Sequence, residues 1–84
     1  MSGWIDDLAG ALDLDPLTAS EADRLLRIAR DVAHRVERKG APLASFLLGL
    51  QVARRVADGS ARASALDEAI ATAEALLPLP PDEP

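Results

Sequence analysis

Arg27, Arg30, His34 and Arg38 are the residues whose types and spacing could do chemistry. They recur at intervals of three and four, so on an α-helix they share one side and could aim several donors at a single anion such as a phosphate. The competing reading is a solvated face. Asp23 with Arg27, Arg27 with Asp31, and Asp31 with Arg35 stand four apart, and each such pair contributes only a few tenths of a kcal/mol. The spacing favours the solvated face and keeps a small anion- or nucleotide-binding domain as the alternative.

Other chemistry has little to work with. His34 is the sole histidine and there is no cysteine, so a nucleophile–base pair would rest on His34 alone, and no serine lies in a strained elbow. A metal held by His34 would need ligands from another chain. The acidic pairs Asp6–Asp7 and Asp67–Glu68 read as first-turn helix acids, not as an acid–base dyad in an apolar pocket. No Gly-rich loop follows a strand. The expectation is a chain that is not an enzyme and carries no cofactor.

Charge is segregated. Residues 1–23 hold six acids and no base, residues 24–62 hold all nine Lys and Arg against three acids, and residues 63–84 hold five acids and no base. Acidic outer helices lying against basic middle ones account for this pattern within the chain. Nucleic acid is disfavoured as a partner, because the net charge is −5 and Trp4 and Phe46 are the only aromatics available for stacking. No apolar run approaches the length of a membrane span, and the start MSGWIDDLAG is acidic with no basic region, which points to a cytoplasmic location and no membrane.

The elements that must position these residues are all helical. Trp4, Ile5, Leu8 and Leu12 form one stripe of a first helix ending near Leu12, and Pro16 interrupts the chain after it. Thr18 and Glu21 match a capping box, opening a second helix expected to run to Arg38 or Lys39 with Gly40 just beyond its end. Its buried face centres on Leu25, Ala29, Val32 and Val36, flanked by Leu26, Ile28 and Ala33. Pro42 then opens a third helix to Ala57. A fourth, starting at Ser64 or a turn earlier near Ala61, buries Leu66, Ile70, Ala73 and Leu77 and stops at Pro78.

The third helix is the hub of this reading. Leu43, Phe46, Leu47 and Leu50 fall on one side, and Leu48, Val52 and Val56 on the opposite one, so the helix is apolar almost all round. Ser45, Gly49 and Ala53 form a small-residue stripe where another backbone could approach. The prediction is an all-α protein: a compact four-helix domain over residues 1–78, built around a buried central third helix, followed by a Pro-rich and disordered tail at 79–84. An Ala-rich chain of this size has a thin core, and a homodimer through Leu48, Val52 and Val56 would cover the surplus.

The run Arg30-Asp-Val-Ala-His34-Arg-Val-Glu-Arg38 followed by Ala41-Pro-Leu-Ala-Ser-Phe46-Leu-Leu-Gly49 resembles an uncharacterised small helical domain family of actinobacteria. In that family a His-x-Val-x-Arg segment precedes Ala-Pro-Leu-x-x-Phe-Leu-x-Gly. Such domains stand alone or accompany nucleotidyltransferases that make the guanine dinucleotide form of the molybdenum cofactor. The resemblance covers the middle third of the chain. It implies an accessory role beside such an enzyme and carries over no catalytic residue.

Overall fold

A computed structural model describes residues 3–80. They form four α-helices: α1 (Gly3–Ala11), α2 (Ala19–Arg35), α3 (Gly40–Ala57) and α4 (Arg62–Leu76). No strand occurs among the described residues, and the fold is all-α. Of the tail, residues 81–84 lie outside the described residues.

Each boundary has a local cause. The Thr18 hydroxyl accepts from the Glu21 N–H at 3.1 Å while the Glu21 carboxylate accepts from the Thr18 N–H at 2.9 Å, which is the reciprocal capping box. Helices α1 and α3 end in the same way. After α1, Asp13 takes a left-handed conformation (φ 59°), with its N–H on the Gly10 carbonyl and the Leu14 N–H on the Ala9 carbonyl. After α3, Gly59 (φ 104°) and Ser60 repeat those bonds to Val56 and Arg55. Both are Schellman stops; aspartate tolerates the conformation that glycine adopts freely.

Helix α2 ends at Arg35, before the Arg38–Lys39 limit the sequence suggests. The Val36 and Glu37 N–H groups both turn back to the Val32 carbonyl, and the chain closes a corner through Gly40 N–H to Glu37 and Ala41 N–H to Arg38. Gly40 is thus the first residue of α3, not the residue that ends α2. It lies so close to α2 that a Cβ there would meet Val32 Cγ1 at 3.2 Å. The corner is tight because this residue has no side chain.

Helix α3 packs against both α2 and α4, more extensively than those two pack against each other, so it is central in connectivity. The core is Ile28 and Val32 from α2, Leu48 from α3, and Leu66, Ala69 and Ile70 from α4, with Leu25, Ala44, Val52, Ala73 and Leu77 packed around it. Central does not mean enclosed. Leu48 is the only buried residue of α3, and Leu43, Phe46, Leu47 and Leu50 are all more than half exposed. The small-residue stripe is also open: among the described residues no other helix approaches within 4 Å of where a Cβ on Gly49 would lie, and the Ser45 hydroxyl bonds back to the Ala41 carbonyl at 2.9 Å. Helix α1 stands apart, since none of its Cα atoms comes within 8 Å of α2, α3 or α4. Packed helices approach closer than that along their contact.

Candidate docking cleft

An open cleft of about 610 Å³ lies among α2, α3 and α4. Its floor is the buried side of the core, Val32, Leu48, Ala65 and Ala69. Its walls are Val36, Leu43 and Leu47 on one side and Ala73, Leu76 and Leu77 on the other. The space exists because α4 presents Ala65, Ala69 and Ala73 to it, one small side chain per turn. Leu43, Leu47 and Leu76 stand 67, 66 and 81% exposed at its rim. Arg55 and Glu68 also border it, paired with each other at 2.6 Å. A volume of several hundred Å³ with apolar walls suits a ligand or side-chain cluster that shuns water.

Of the three residues expected to mate with another chain, Leu48 is buried in the core, Val52 packs against it, and Val56 is 42% exposed. Leu48 thus forms part of the cleft floor, whereas Val52 and Val56 do not line the cleft. Helices α2 and α4 cover Leu48 and part of Val52 and leave Leu43, Phe46, Leu47 and Leu50 open. Val36, expected in the core of α2, is 58% exposed at the rim because the helix stops just before it, and Leu26 is 60% exposed.

Arg27, Arg30 and His34 share an exposed side of α2, but Arg38 falls in the corner beyond the helix and leaves that arc. None of the four joins an ion pair or side-chain hydrogen bond among the described residues, and the expected intrahelical pairs to Asp23 and Asp31 do not form. The ion pairs instead cross between helices: Arg24–Asp67 joins α2 to α4, Arg55–Glu68 joins α3 to α4, and Arg62–Glu21 joins α4 to α2. Charge complementarity within the chain thus takes this form.

The third pair is the polar feature that sequence reasoning missed. Glu21 is 6% exposed. Arg62 donates to it twice, from Nε to Oε2 at 2.8 Å and from Nη2 to Oε1 at 2.7 Å, a bidentate fork. The same guanidinium donates to the carbonyls of Asp15 at 3.1 Å and Pro16 at 2.9 Å. One side chain at the start of α4 therefore ties down the α1–α2 connection and the first turn of α2. The Arg62 hydrogen bonds hold the Glu21 carboxyl well below its ordinary value of 4.5, at about 2, against the opposing effect of burial. A signal was available: a cation in the first turn opposes the helix dipole, so Arg62 had to find its partner elsewhere.

A family model described as a domain of unknown function, DUF6457, matches residues 1–83. The chain belongs to the DUF6457 family. No curated protein and no solved structure matches it. The DUF6457 match takes in α1 as well as the α2–α4 core, so the detached helix is part of the family's domain. Among the described residues no cluster of His, Asp or Glu is placed to hold a metal ion, and no helix is long and apolar enough to cross a membrane.

Proposed function

We propose that this DUF6457 chain is a non-catalytic helical interaction module that docks through the α2–α4 cleft, receiving an apolar helix from a partner. The observation that carries the reading is the rim of exposed large apolar side chains, Leu43, Leu47 and Leu76, around a buried apolar floor that Ala65 and Ala69 keep low. Exposed apolar patches of this kind mark interaction sites on soluble proteins, and a hydrophobic groove between helices suits the apolar face of an amphipathic helix. The partners in view are a second copy and, from the resemblance to an actinobacterial family, a guanylyltransferase of molybdenum cofactor synthesis in the cytoplasm. Calorimetric titration of such an enzyme with the wild-type chain and with Leu47→Glu tests the second partner. Binding that weakens at least tenfold in the variant supports it, and no heat with the wild type removes it.

A small-anion site on α2 is the second reading, supported by Arg27, Arg30 and His34 standing exposed on one side without an acidic partner among the described residues. A ligand at a hundredfold its Kd stabilises its protein by about 2.7 kcal/mol. A thermal shift with inorganic phosphate or a nucleotide that disappears in Arg30→Gln supports this reading, and no shift with either probe removes it.

A further inference from the structure

Two apolar surfaces lack a partner among the described residues, and they fit each other. One is the cleft. The other is the stripe along α1 and the turn after it, where Trp4 is 69%, Leu8 40% and Leu12 58% exposed, and α1 packs against none of the other helices. We propose that α1 of one chain lies in the α2–α4 cleft of a second copy, and that the exchange is reciprocal. The proposal rests on the docking reading above and names the occupant.

Length agrees. At 1.5 Å per residue the nine residues of α1 span about 13 Å, and the stretch of α3 from Leu43 to Arg55 that borders the cleft spans about 18 Å. Charge agrees as well. Helix α1 and the turn after it carry Asp6, Asp7, Asp13 and Asp15 and no base, whereas the cleft-lining Val36 and Gly40 bracket Arg38 and Lys39 at the α2–α3 corner.

The exchange runs between copies because the connection to α2 is pinned. Arg62 holds the Asp15 and Pro16 carbonyls at the first residue of α4, and the Schellman stop at Asp13–Leu14 fixes the direction in which α1 leaves. With these bonds in place α1 stands clear of its own cleft and free to enter another. A two-fold axis then makes each dimer bury the contact twice.

Trp4 is the only tryptophan, so its emission reports where α1 lies. Sedimentation velocity and Trp4 fluorescence, followed together from low micromolar to near-millimolar protein, should show a monomer with water-like emission passing to a dimer with blue-shifted emission. Leu8→Glu in α1 and Leu47→Glu in the cleft wall should each weaken the dimer at least tenfold while helical circular dichroism is unchanged. An equimolar mixture of the two variants should regain a heterodimer, because one supplies an intact cleft and the other an intact α1.

A wild type that stays monomeric with exposed Trp4 at every concentration overturns the proposal. So does a blue-shifted Trp4 that ignores concentration, which would place α1 in its own cleft. A dimer that tolerates Leu8→Glu but not Leu47→Glu also overturns it, while leaving the docking reading in place with a different occupant.

Discussion

The two ends of the α2–α4 pair are built from opposite materials. At the N-terminal ends of both helices, Glu21, Thr18 and Arg62 form a closed polar knot, and no buried side-chain polar atom among the described residues is left without a hydrogen-bond partner. Toward the C-terminal ends, Val36, Leu76 and Leu77 border open apolar space. The knot completes itself within one chain. The cleft does not, because water is a poor neighbour for Leu43, Leu47 and Leu76 and none of the described residues covers them. This difference separates the residues that hold the fold from those available to a partner. Substitutions at the knot should lower monomer stability, and substitutions at the rim should spare it.

The strongest way to break the contrast is Arg62→Ala. Removing one member of a mostly buried ion pair strands the other, and with Arg62 itself one-third exposed the cost should be about 3 kcal/mol, read as a lower urea midpoint at neutral pH. The variant also frees the Asp15 and Pro16 carbonyls, so α1 should lose its fixed exit.

Acid should act on the same bond. The folded Glu21 carboxyl sits at about 2 against an ordinary 4.5, so its contribution is complete above pH 4.5 and is lost as the pH falls from there towards 2. At about 1.4 kcal/mol per pH unit the loss reaches 2–3 kcal/mol. Urea titrations between pH 5 and about 2.5 should show a decline in the wild type beyond that of Arg62→Ala, and parallel curves would contradict the assignment.

Thr18→Ala removes one half of the capping box and should cost about 1 kcal/mol in the same assay. At the other end Leu76→Gln, an 81%-exposed position, should change monomer stability by less than about 0.5 kcal/mol. A loss comparable to that of Arg62→Ala would mean that the rim belongs to the core.

Much of this was legible in the sequence and some was not, for identifiable reasons. The capping box at Thr18–Glu21, the break at Pro16 and the stop at Pro78 are local chemistry, and the structure places helix boundaries beside all three. Periodicity finds Val32 in the α2 core, but it centres the face on Ala29 and Val36 and puts at its flank Ile28, which is buried. The side of α3 that is covered does not follow from periodicity. Leu43, Phe46, Leu47 and Leu50 are as apolar as Leu48, Val52 and Val56, and only the placement of α2 and α4 decides between them. The end of α2 depends on the close approach of Gly40 to Val32, a tertiary contact. The Arg62 knot joins residues 41 apart, beyond any helical period. Within the candidate site the apolar residues were visible and their division into floor and rim was not.

The most direct test is an isotope-filtered nuclear Overhauser experiment on an equimolar mixture of labelled and unlabelled wild-type chain at high concentration. If α1 fills the cleft of a second copy, intermolecular contacts will join the Trp4 indole ring to the methyl groups of Leu43, Leu47 and Leu76. A dimer without those contacts, or a monomer whose cleft methyl groups see only water, would contradict that placement.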